Sequence, residues 1–102
     1  MATFLLRGTY AKEAFQTLID EPVDREKAFK EVLNRCGMEL ICWFYSSSNS
    51  GWISICEGTP EQVATVEIVG GASGRNMSFT AELLLSGSEL AESADAAAAI
   101  ND

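Results

Sequence analysis

The sequence predicts an α+β protein on the ferredoxin-like βαββαβ plan, with a four-stranded antiparallel sheet and its helices on one face. Three observations carry this. Apolar spacing switches between strand period and helix period in the order strand, helix pair, two strands, helix, strand. Ser46-Ser47-Ser48-Asn49-Ser50-Gly51 joins the two middle strands as a turn by composition. The 102 residues suffice for one modest core without metal or disulfide staples. A sheet this small, with helices on one side, leaves its other face for something else to cover.

The first strand spans Thr3 to Tyr10, with Phe4, Leu6, Gly8 and Tyr10 on one face and Thr3, Leu5, Arg7 and Thr9 on the other. Helical period follows over Ala11 to Ile19, where Phe15, Leu18 and Ile19 share a side. Glu21-Pro22 interrupts it, because proline disfavours helix at the preceding residue. The second helix is the clearest element. Phe29, Val32, Leu33 and Cys36 form one apolar stripe among solvated charges, with Pro22 in the first turn, Asp24 as cap and Gly37 as the left-handed stop.

Leu40 to Tyr45 is apolar on both faces, which predicts a strand covered on both sides. Helices supply one cover, and a partner chain is the natural candidate for the other. Trp52 to Glu57 returns as a strand, with Ile53 and Ile55 sharing a face. Thr59-Pro60-Glu61-Gln62 is a near-complete helix start, and Gly70-Gly71 ends that helix. The Gly70 to Gly74 stretch follows a helix instead of opening one, so it reads as a connector and not a phosphate cradle. Met77 to Leu85 alternates as the last strand, and Ser88 caps a final Ala-rich helix. The domain reading is therefore 1–87 for the α+β domain and 88–102 for a C-terminal helix or tail.

Composition bounds the function. No apolar run approaches the roughly 20 residues of a membrane span. The start lacks a basic region and a cleavage site, so no signal peptide is expected and the cytoplasm is the expected location. The net charge of −8 is uneven: residues 1–35 carry six basic and six acidic side chains, whereas Arg75 is the only basic residue from Cys36 onward, against nine acids. Such a surface repels a phosphate backbone and argues against nucleic-acid binding. With no histidine, Ser-His and Cys-His nucleophiles are excluded, and no metal site or cofactor is expected. Cys36, Cys42 and Cys56 are an odd number and read as reduced, packed thiols, with Cys42 and Cys56 as possible cross-strand neighbours.

Alternation nominates one face for chemistry. If Ile53 and Ile55 face the helices, Trp52, Ser54 and Cys56 face the other way, with Arg7, Thr9, Thr80 and Glu82. The candidate ligand-binding set is thus Arg7, Thr9, Trp52, Ser54, Thr80 and Glu82. Arg7 and Glu82 suit a small-molecule pocket, or equally an ion pair beneath a dimer interface.

The opening Thr3-Phe4-Leu5-Leu6-Arg7-Gly8-Thr9-Tyr10, the helices around Glu21-Pro22, the Gly37 stop before an aromatic strand and the Thr59-Pro60-Glu61 start together resemble GYD-domain proteins, over roughly residues 2 to 95. The Gly-Tyr-Asp element itself is absent, since Ser48-Asn49-Ser50-Gly51-Trp52 stands at its place. The resemblance implies a dimeric α+β barrel-like assembly, in which paired sheets enclose a cavity, and it implies no particular reaction. The resulting expectation is a homo-oligomer, dimer or higher, associating through the sheet face and binding a small ligand or a protein partner. The alternatives are a cofactor-independent oxygenase or isomerase, with Arg7 polarising the substrate and Glu82 as base, and a purely structural assembly module.

Overall fold

The structure, a computed structural model, describes residues 1–101. The chain runs β1 (Ala2–Tyr10), α1 (Lys12–Asp20), α2 (Arg25–Arg35), β2 (Glu39–Ser46), β3 (Gly51–Gly58), α3 (Pro60–Ala72), β4 (Asn76–Leu84) and α4 (Gly87–Ile100). The strands form one antiparallel sheet in the order β2-β3-β1-β4. The fold is α+β, four strands and four helices, and this order is compatible with the ferredoxin-like plan.

Local chemistry sets the helix ends. Asp24 accepts the Lys27 amide at 3.1 Å to open α2, and the chain leaves that helix through Gly37 at φ +83°. Thr59 and Gln62 form a reciprocal capping box at α3, with Pro60 in the first turn. Three boundaries differ from the sequence reading. Pro22 lies in the α1–α2 connector. Helix α3 runs through Gly70 and Gly71 to Ala72, because two glycines cost too little to stop a helix that Phe79 packs against from below. Ser86, not Ser88, caps α4, since Glu89 sits three residues on and closes a capping box. The α4 segment thus begins one residue ahead of the 88–102 reading, whose last residue lies outside the described residues.

The core lies between the sheet and the helix layer. Phe4, Leu6 and Tyr10 of β1, Trp52 and Cys56 of β3, Leu33 of α2, and Val63 and Val66 of α3 are all buried there. The face assignment of β3 is therefore the reverse of the conditional reading: Trp52, Ser54 and Cys56 point to the helices, and Ile53 and Ile55 to the other side. Register explains this. Gly8 pairs with Trp52, Leu6 with Ser54 and Phe4 with Cys56, and directly opposed residues share a face. Once β1 turns Phe4, Leu6 and Gly8 inward, β3 has no choice. Cys42 and Cys56 are likewise not neighbours. Cys56 pairs with Leu40 and is buried, whereas Cys42 pairs with Ile55 after a bulge and faces outward.

Among the described residues, no helix covers the outward face. Phe44, Cys42, Ile53, Ile55 and Leu5 form its apolar half, and Arg7, Thr80 and Glu82 lie across β1 and β4 beside them. Phe44 is 64% exposed, and Ile41 at the bulge 53%. Every residue of α4 is exposed, and the molecule measures 59 × 28 × 21 Å.

Candidate functional site: an aromatic cleft between two helices

A cleft of about 120 Å³ opens between α2 and α3, with the sheet as its floor. Helix α2 contributes Arg25, Ala28, Phe29 and Val32, and α3 contributes Val66, Val69, Gly70 and Ser73. Tyr10, Trp43, Trp52 and Phe79 rise from the four strands, and Arg75 and Asn76 come from the start of β4 and the loop before it. A cavity of about 150 Å³ takes one benzene molecule, so this space suits a single ring.

Trp52 is the organising side chain, at 3% exposed. Its indole lies over Gly8, where an added Cβ would fall 2.5 Å from Nε1. The Nε1–H donates to Asn76 Oδ1 at 3.0 Å, fixing the ring plane. Phe29 packs on it at 4.6 Å between centroids, tilted by 47°, and Phe79 meets it edge-on at 5.3 Å. The walls are thus held by mutual packing before any ligand arrives.

The two cations are positioned differently. Arg25 is the first residue of α2, immediately after its cap, and is half-buried. Arg75 is exposed, but its backbone is tied at both ends: its amide donates to Ser73 Oγ at 3.2 Å and its carbonyl accepts from Ala11 at 2.7 Å. Ser73 Oγ in turn donates to the Gly70 carbonyl at 2.7 Å. Burial pushes the Tyr10 phenol up, and the adjoining Arg25 guanidinium pulls the other way with less effect, so the hydroxyl stays protonated and available as a donor. Among the described residues no Asp or Glu lines the cleft, although the sequence has fifteen of them against seven Lys and Arg.

The six residues nominated from the sequence do not form one site. Arg7, Thr80 and Glu82 lie exposed on the uncovered face; Arg7 pairs with Thr80, and Glu82 sits diagonally, opposite Leu5. Thr9 shares that face, where its hydroxyl donates to Asn49 Oδ1 at 3.1 Å while Asn49 Nδ2 donates to the Gly8 carbonyl at 3.1 Å. That pair ties the Ser-rich turn to β1. Ser54 is buried on the opposite side, its hydroxyl 3.5 Å from the Leu6 carbonyl. Trp52 alone belongs to the cleft.

Arg25, Phe29, Trp43, Arg75, Asn76 and Phe79 were not nominated. Arg25 reads as one charge of a solvated helix and Phe29 as core, and neither pattern reveals a cleft. The one available signal was Arg75, an isolated cation in an acidic half of the chain. Among the described residues no cluster of three or more His, Cys, Asp or Glu could hold a metal ion, and no helix is long and apolar enough to cross a membrane. No family model, curated protein or solved structure matches the chain.

Proposed function

We propose that this protein is a small-molecule binding module whose site is the α2–α3 cleft, and that it works as an oligomer of its own chain. The observation that carries the binding reading is the cleft itself: preformed aromatic walls, a donor-rich rim and, among the described residues, no carboxylate. Few convergent polar groups around an apolar hollow are what small-ligand sites use. Fluorescence titration with one-ring fragments tests it, because both tryptophans of the chain line the cleft. Binding is expected in the native protein and lost in Ala28→Phe, which fills the space; binding that survives this change overturns the assignment.

The assembly reading rests on the opposite side of the sheet. Phe44, Ile53, Ile55, Leu5 and Cys42 present a contiguous apolar surface that no element of the same chain covers. A second copy laid face to face is the occupant that the GYD-domain resemblance suggests, in a dimeric α+β barrel-like arrangement. Three free thiols suit a reducing, cytoplasmic setting. The oxygenase or isomerase alternative draws on Arg7 and Glu82, which stand exposed on that same surface, and needs walls from a partner copy. The cleft needs none, which is why binding is preferred.

A further inference from the structure

We infer that the ligand of the α2–α3 cleft is a small planar aromatic carboxylate, its ring in the space bordered by Phe29, Trp52 and Phe79 and its carboxylate at the rim with Arg25 and Arg75. This deepens the binding reading above and rests on it. The ring assignment follows from size and surface: about 120 Å³ of room bordered by aromatic faces and edges accepts one flat ring by stacking or edge contact.

The charge assignment follows from what surrounds the space. The chain carries net −8, yet among the described residues its cleft is lined by two arginines, both acting on the Tyr10 phenol, and by no acid. Arg75 is the only basic residue in the last two-thirds of the sequence, and it stands at this rim with its backbone hydrogen-bonded on both sides. A guanidinium offers a flat pair of donors that matches a carboxylate, and such charge-assisted pairs exceed neutral hydrogen bonds in strength. A neutral ring would leave both cations unused, and a cationic one would meet them as like charges.

Benzoate, benzamide and benzylamine, nearly equal in shape, separate the possibilities. Each is titrated into the full chain at low ionic strength while tryptophan emission is followed. Benzoate is expected to bind about tenfold or more tighter than benzamide, and benzylamine most weakly. Arg75→Gln is expected to weaken benzoate far more than benzamide, so that the native preference between the two collapses, and to leave the melting temperature unchanged. Arg25→Gln is expected to act in the same direction; it serves as a second variant on a different element. Equal binding of benzoate and benzamide, or an Arg75→Gln protein that still discriminates between them as the native one does, overturns the carboxylate and leaves the cleft reading standing. Failure of all three probes overturns the cleft reading itself.

Discussion

Gly8 and Trp52 face each other across the β1–β3 ladder, and this single pair decides how the whole site is built. Any side chain at position 8 must enter space the indole already fills. Gly8→Ala is expected to destabilise by about 1–3 kcal/mol through overpacking, and to shift tryptophan emission because the ring must tilt away from Asn76. A thermal melt with an unchanged midpoint and emission maximum speaks against this packing. Cys56 offers a second test at the same scale. It is fully buried in the core, and burial pushes its thiol up to about 11 from 9.0. The folded state therefore holds the proton more tightly than the unfolded chain. Stability on this account is intact below pH 9 and is lost as pH rises from 9 toward 11. Denaturant titrations across that window should show the decline, and Cys56→Ala should flatten it. Tyr10, whose phenol burial also pushes up, contributes to the same alkaline loss.

Elements differ in how far sequence alone reveals them, and the reason is the range of the forces involved. Helix α2 and the start of α3 were legible because caps and apolar stripes act within a few residues: Asp24 with Lys27, Thr59 with Gln62. The phase of β3 was not. Ile53 and Ile55 alternate as convincingly as Trp52, Ser54 and Cys56, and the choice depends on pairing with β1 more than forty residues away. The cleft was less legible still, since its walls come from two helices and four strands and meet only in three dimensions. Thr59→Ala tests the local side of this argument. Helix α3 carries Val63 and Val66 into the core, so losing its cap is expected to cost about 1 kcal/mol of global stability, read as a lower denaturation midpoint. An unchanged midpoint means the core, not the cap, holds that helix end.

At the scale of the molecule, the two sides of the sheet differ. The helix side holds the cleft and the other presents Phe44, Ile53, Ile55 and Leu5, so under the assembly proposal a second copy and a cleft ligand would meet different surfaces. Sedimentation at micromolar concentration is expected to give a species heavier than the 11.0 kDa chain. Phe44→Asp should return it to monomer with its cleft intact; a native protein that sediments as a monomer ends the assembly proposal. Shape carries a different consequence. The radius of gyration is 16.2 Å, against about 13 Å for a compact chain of this length, and the excess belongs to α4, standing clear of the body. A helix of 14 residues with no packed neighbour is held only by its alanines and by the Ser86–Glu89 capping box. Isolated helices of that length are marginal in water. Its coil transition is thus decoupled from the core: far-ultraviolet ellipticity should fall along a shallow, non-cooperative slope well before the cooperative melt of the sheet. Ser86→Ala should steepen the early slope and leave the main transition where it was. Heating thus separates the molecule into a body that melts as one unit and an arm that unwinds by degrees.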